Sequence, residues 1–438
     1  MHPQSLIPHK LQQMQEWIAW HSPQQNPPLP TTQSELCQIC PQQEKCQTYF
    51  DTSSITSKKI EAKPTQKVIK KPTKITPKPV IATPKKDEQK EADQYGKQLV
   101  TTLKSYKINV DYLGAAVAPA FIRVKLKPHL GVKVSSILRL SNDLQVQLAI
   151  INPPLISPQS GFVSIDIPRL DRQTAHFNSY IQPEKNTADA AMKIAIGVDL
   201  NNQLIEADLS DPNTCHFLVG GTTGSGKSEF LRSLLLSLLY RYSPQQLKIA
   251  LVDPKRVTFP EFEQMPWLYS PVVKTTEDAI ELMEKLTSEM EHRYQQLEKA
   301  GCSDILSYNK SQKIPLQRII FIFDEYADFM AEKDIRKALE LSIKRLGAMA
   351  RAAGIHLIIA TQRPEASIVT PVIRSNLPGR VALKTASEAD SQIVLGGKIS
   401  DAAYLLGKGD LLYQSSSKLE RLQSLFAQTI QIEDVKHT

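Results

Sequence analysis

Five short apolar runs mark the second half of the chain: HFLVGG, LKIALVD, RIIFIFD, HLIIAT and RVALK. Each has the length of a strand and none alternates apolar with polar, the pattern of strands covered on both faces in a parallel sheet. The segments between them repeat apolar residues at helical spacing. In DAIELMEKLTSEMEHRYQQLEKAG, the residues Ile280, Met283, Leu286, Met290, Tyr294 and Leu297 make one stripe. Thr275 and Asp278 read as an N-terminal capping box and Gly301 as the stop. Strands and helices in alternation predict an open α/β sheet over residues 206–438, with its chemistry at the C-terminal strand ends.

Upstream the texture changes. Residues 95–205 read as a smaller α+β domain, with strand-like PAFIRVKL, LQVQLAII and GFVSIDIP and a helical piece near KVSSILRLSND; they carry no catalytic motif. Residues 51–94 are rich in Lys, Thr and Pro, too poor in apolar surface to offset chain entropy, and read as a disordered basic linker. Residues 1–50 open with Leu11, Met14, Trp17 and Ile18 at helical spacing and continue into a cluster of cysteines.

Composition narrows the class. The 438 residues are 41% hydrophobic and 22% charged, a globular balance with room for two or three domains. No apolar run is long enough to span a bilayer, no signal peptide opens the chain, and five cysteines do not make a secreted disulfide framework. A cytoplasmic protein without an integral membrane segment is expected. The net charge of +8 is concentrated: residues 51–90 hold eleven Lys, no Arg and four acids, which leaves +1 for the rest. The basic character belongs to the linker, either as a plain tether or as one that touches DNA phosphates.

The chemistry starts after HFLV. Gly221-Thr222-Thr223-Gly224-Ser225-Gly226-Lys227-Ser228 is G-x-x-x-x-G-K-S between a strand and a helix, and with Glu229 it forms the candidate nucleotide-binding stretch. Its glycines let backbone N–H groups approach phosphates, and the helix behind adds a positive N-terminus. Lys227 is placed to reach the β- and γ-phosphates of ATP, and the Ser228 hydroxyl to bind Mg²⁺. RIIFIFDEY ends a strand on two acids. Asp324 suits the Mg²⁺ through water, and Glu325 suits the attacking water as its base. HLIIATQRP places Gln362 where it can sense the γ-phosphate, the alternative being a plain loop amide. Arg351, in AMARAAGIH, is either a surface arginine or an arginine finger for a neighbouring subunit.

The N-terminal cysteines are a separate question. Cys37, Cys40 and Cys46 have C-x2-C-x5-C spacing, which suits zinc or an iron–sulfur centre with a fourth ligand such as His9 or His21. Free thiols are the competing reading.

Residues 95–430 resemble the motor region of the FtsK/SpoIIIE family of DNA translocases. The matching stretches are HFLVGGTTGSGKS, ALVDPK, EMEHRY, IFIFDEYADFM, ARAAGIHLIIATQRP, IRSNLPGRVALK and LLGKGDLLY, with VSIDIPRLDRQT at the end of the upstream domain. The resemblance implies a RecA-like P-loop motor domain with a central parallel sheet. It further implies a homo-hexameric ring around double-stranded DNA, driven by ATP hydrolysis between subunits. Lys227, Ser228, Asp324 and Glu325 fall on the family's nucleotide and hydrolysis positions, Gln362 on its sensor and Arg351 on a position that can serve in trans. The membrane-spanning segments and the DNA-reading winged helix of the division-linked members are not matched. That favours a translocase of a mobile element, plasmid or defence system, with an unknown partner for the N-terminal region. Two other functions compete: an ATPase driving protein secretion, and a nucleotide-bound DNA-binding adaptor with little turnover.

Overall fold

The computed structural model describes residues 86–183, 191–330, 332–416, 418–428 and 430, all within the unit that spans residues 76–438. Cys37, Cys40, Cys46 and the stretch expected to be a helix near Leu11 lie outside the described residues.

Helix α1 (Lys86–Ser105) begins inside the stretch read as linker. Its first turns are charged, which masks a buried stripe of Ala92, Leu99 and Leu103. It lies on a four-stranded antiparallel sheet of β1 (Val110–Val117), β2 (Phe121–Pro128), β3 (Leu155–Gln159) and β4 (Phe162–Pro168), in the order β1-β2-β4-β3. Between β2 and β3 come two short helices, α2 (Val134–Leu138) and α3 (Ser141–Gln147). The second corrects the strand expected at LQVQLAII. Leu144 and Leu148 are buried while Val146 is 77% exposed, a spacing that an alternating strand and a helix with one buried i, i+4 pair share.

The larger sheet has nine strands. β5 (Lys193–Val198) and β6 (Leu204–Asp208) precede β7 (Phe217–Gly220), β8 (Leu247–Val252), β9 (Arg318–Phe323), β10 (Ile355–Thr361), β11 (Gly379–Leu383), β12 (Asp410–Ser415) and β13 (Lys418–Gln423). Their spatial order is β6-β5-β13-β12-β11-β7-β10-β9-β8. The five apolar runs form the parallel core β11-β7-β10-β9-β8. The remaining four strands extend it in antiparallel fashion, so the sheet is mixed. β13 (KLERLQ) and β6 (LIEAD) are partly polar, whereas β5 is apolar and buried from Ile194 to Val198; β5 and the start of β6 lie ahead of residue 206.

Five helices of the larger domain frame the core: α4 (Lys227–Leu239), α5 (Thr276–Lys299), α6 (Ile305–Ser311), α7 (Lys333–Met349) and, after β10, α8 (Pro371–Asn376). A further one, α9 (Glu388–Leu395), follows β11. Successive strand residues face opposite layers. Phe217 and Val219 pack with Phe230, Leu234 and Leu238 of α4 in one cluster. Leu218 packs with Met283 and Leu286 of α5 and with Leu339 and Ile343 of α7 in the other. The expected cap is in place: Thr275 accepts the N–H of Asp278, and Gly301 has φ 63° just beyond the end of α5.

Candidate nucleotide site

Strand order decides what meets at the site. β10 and β9 lie on one side of β7, followed by β8. Four neighbouring C-terminal ends therefore open together: the Gly221–Ser228 loop after β7, Gln362 after β10, Asp324 and Glu325 after β9, and the 253–259 loop after β8. In an open α/β sheet this is where ligands bind.

The loop is shaped by its neighbours. Gly221 N–H donates to Thr361 O at 3.2 Å and Thr222 N–H to Lys384 O at 2.8 Å. On the other side, Gly409 N–H donates to Ser225 O at 2.7 Å and Lys408 N–H to Gly224 O at 3.3 Å. Gly226 has φ 99°, and a Cβ there would sit 2.4 Å from Gly409 N, so glycine is required twice over. No side chain caps α4 at Gly226, and the N–H groups of a helix's first turn have no partner within the helix and favour an anion. That cradle fits a phosphate chain. Ser228, exposed beside it, and the nearby Asp324 carboxylate are hard oxygen ligands of the kind Mg²⁺ takes together with phosphates and water. Among the described residues no group of three or more His, Cys, Asp or Glu is placed to hold a metal unaided.

The two acids differ in their partners. Asp324, 2% exposed, is ion-paired through Oδ1 with the Lys227 ammonium and accepts the Thr258 hydroxyl on Oδ2 at 2.6 Å. Glu325, 1% exposed, has left-handed backbone (φ 55°, ψ 58°), a conformation that costs a residue with a side chain roughly 1–3 kcal/mol. The fold maintains it by partners. Glu325 Oε1 accepts the Thr361 hydroxyl at 3.1 Å and the Gln362 N–H at 2.9 Å, and Oε2 accepts from Lys255 Nζ at 3.0 Å. Burial lowers the Lys255 pKa, but the hydrogen bond and charge of Glu325, with Asp328 and Asp324, raise it by more. The Gln362 side chain turns the other way and accepts the Thr223 hydroxyl at 2.8 Å, linking the loop to the end of β10.

Lys227, Ser228, Asp324, Glu325 and Gln362 are thus brought together. Arg351 is not. It lies exposed in the turn before β10, near enough to His216 and Cys215 to bear on their charge, while Gln362 lies just past the other end of that strand. A seven-residue strand spans roughly 23 Å, so Arg351 does not reach the phosphate loop of its own chain. Lys255, Thr258 and Thr361 had no assigned role in the sequence. The signal was present in VDPKRVT, an apolar strand ending on an acid and two cations, but pattern alone gave those residues no partner.

A cavity of about 510 Å³ adjoins the loop, lined among others by Arg172, Gly226, Glu229, Lys408, Gln423 and Phe426. Arg172, from the segment joining the two sheets, donates through Nη2 to Gly407 O at 2.9 Å.

Fold and site together define a P-loop ATPase domain with a mixed sheet. The profile of the FtsK/SpoIIIE family matches residues 178–315 and 309–366, and that of the FtsK alpha domain matches residues 72–169. A DNA translocase FtsK of Campylobacter jejuni is 36% identical over 387 residues, 84% of this chain and 40% of that protein. An uncharacterised FtsK-like protein of Nostoc is 38% identical over 341 residues, 76% of this chain and 47% of that protein. The chain belongs to the FtsK/SpoIIIE family. It spans a little under half the length of these curated relatives. Among solved structures, the pCW3 conjugation coupling protein TcpA, a monomer form with ATPγS, matches 79% of this chain and 99% of its own, with a TM-score of 0.55 at 24% identity. The EssC ATPases 2 and 3 of Geobacillus thermodenitrificans match 59% of this chain and 50% of theirs, with a TM-score of 0.50 at 21% identity. Both share the fold. No helix among the described residues is long and apolar enough to cross a membrane.

Proposed function

We propose that this chain is the motor of an ATP-driven double-stranded DNA translocase. The observation that carries the hydrolytic part is Glu325, buried at the end of β9 with its carboxylate held against the end of β10 and one strand from the phosphate loop. The DNA part follows from relatives named DNA translocase that align over most of the chain. In this reading the backbone of Gly221–Glu229 holds the phosphates and Lys227 leaves Asp324 for them. The adjoining cavity, in the size range of ligand pockets (roughly 300–1,000 Å³), takes the nucleoside. Ser228 and Asp324 hold Mg²⁺, which offsets charge on the phosphates. Glu325 orients and deprotonates water, and Gln362 relays the state of the loop to β10.

Arg351, remote from its own loop, acts on the nucleotide of a neighbouring subunit in a homo-hexameric ring. A mobile element, plasmid or defence system in the cytoplasm is the setting we assign. Zinc or an iron–sulfur centre at Cys37, Cys40 and Cys46 rests on their spacing alone. Elemental analysis and a visible spectrum of anaerobically purified protein test it, and metal far below one equivalent would end it.

ATP turnover without nucleic acid, with single-stranded DNA and with linear duplex, beside a triplex-displacement assay, tests the main reading. Strong stimulation by duplex and release of the third strand are expected. Turnover indifferent to duplex, with no release, would overturn it and leave the secretion motor as the better account.

A further inference from the structure

The 253–259 loop touches both acids at the end of β9. Asp253 Oδ2 accepts the backbone N–H groups of Thr258 at 2.9 Å and Phe259 at 3.0 Å, which closes the loop on itself. Thr258 reaches Asp324, and Lys255 reaches Glu325 at 3.0 Å and Asp328 at 3.7 Å. The tip between these anchors is Arg256, exposed and at φ 58°, and Val257, 71% exposed.

Glu325 is therefore engaged through both carboxylate oxygens. A base that takes a proton from water needs an oxygen within hydrogen-bond reach of that water. The Thr361 hydroxyl and the Gln362 amide on Oε1 are set by the end of β10, whose pairing with β7 extends to Thr361 itself. Lys255, on Oε2, is different. It is a flexible four-carbon side chain from a surface loop, 39% exposed although its partner is buried. Of the three contacts it is the one that can leave without disturbing a strand.

We infer that Lys255 is a removable clamp on Glu325, and that DNA phosphates meeting the loop tip draw its ammonium away and free Oε2 for water. The inference rests on the duplex-DNA reading above. Arg256 at the tip and Lys255 beside it are two adjacent cations, the chemistry that meets a phosphate backbone. Because Asp253 fixes the loop's frame, a swing of the Lys255 side chain suffices, and Thr258 stays on Asp324. The loop would then report DNA contact to the hydrolytic residue of the same subunit.

The test is ATP turnover of the full chain, with and without linear duplex, for wild type, Lys255→Met and Lys255→Arg. A melting temperature and binding of a fluorescent ATP analogue establish that each variant is folded and loaded. Lys255→Met is expected to turn over about tenfold faster than wild type without DNA, with its stimulation by duplex reduced to near unity. Lys255→Arg keeps a cation on Glu325 and should retain the low basal rate. The clamp is overturned if duplex stimulates wild type and folded Lys255→Met equally, or if Lys255→Met loses turnover in both conditions. A wild type that duplex does not stimulate overturns the DNA reading instead. The basal rate of Lys255→Met then still judges the clamp, a rise upholding it and no change ending it.

Discussion

Arg421, on β13, donates through Nη1 to Asp166 of the small sheet at 2.9 Å. Asp166 also takes a bidentate pair from Arg123, at 2.6 and 2.7 Å. Arg421 in turn holds Asp410 by two bonds, at 3.0 and 2.7 Å, next to the Gly409 that braces the phosphate loop. The guanidinium lies 4.0 Å from the centre of the Phe121 ring. The small domain is thereby part of the support of the nucleotide site.

Breaking this network from one side leaves buried charge unpaired. Arg421→Met should destabilise the chain by about 3–5 kcal/mol, as read by urea unfolding. Arg421→Met combined with Asp166→Asn should cost less than the sum of the two single changes. Additive losses would show that the pair does not act as a unit.

Lys227→Ala removes the cation that the phosphate loop offers and leaves the Asp324 carboxylate without its ion pair. Nucleotide binding, followed by calorimetry, should drop at least about a hundredfold, with turnover lost. Binding at wild-type strength would remove Lys227 from the site.

Glu325→Gln keeps the shape of the side chain and its contacts with Thr361 and Gln362 while removing the carboxylate proposed as the base. It should bind ATP normally and hydrolyse it about 10²–10⁴ times more slowly in single-turnover assays. Unchanged turnover would mean that another group takes the proton.

Arg351 is tested by mixing subunits. Arg351→Ala alone should lose about a thousandfold in turnover, as removal of an arginine finger does. Neither Arg351→Ala nor Lys227→Ala rings would be active, but mixed rings pair an intact Lys227 with an intact neighbouring Arg351 and should regain activity. Mixtures as inactive as their parents would place Arg351 outside the site.

His216 gives a pH prediction. Burial, and then the charge of Arg351, lower its pKa from 6.5 to about 3, and the N–H of Leu357 donates to its Nδ1 at 3.0 Å. The unfolded chain binds the proton first, so the stability held by neutral His216 is complete above pH 6.5 and lost as pH falls toward 3. His216 should contribute a loss of about 1.4 kcal/mol per pH unit in that window. His216→Gln should flatten the fall between pH 6.5 and 4 in denaturation curves; an unchanged slope would assign the acid sensitivity elsewhere.

The features legible in the sequence were those written in adjacent residues. The phosphate loop, the two acids closing RIIFIFDEY, the five core strands and the capped helix α5 each depend on spacing within a few positions. The pattern failed where short polar strands or one buried i, i+4 pair gave an ambiguous period, as in β13 and α3. The start of α1 was hidden because its first turns, with Asp87, Glu88, Gln89 and Lys90, are charged and polar and show no apolar period.

Local chemistry therefore marked the candidate nucleotide-site residues, because a loop and a strand end carry their donors and acids in sequence order. The tertiary fold decided who holds them. Only the insertion of β10 and β9 between β7 and β8 brings Thr361, Gln362 and Lys255 onto one carboxylate, and only the closing of the two sheets together buries Arg421 between Asp166 and Asp410. Lys255 lies 70 residues from Glu325 and Arg421 lies 255 from Asp166, separations that no periodicity records and that chain topology alone can close.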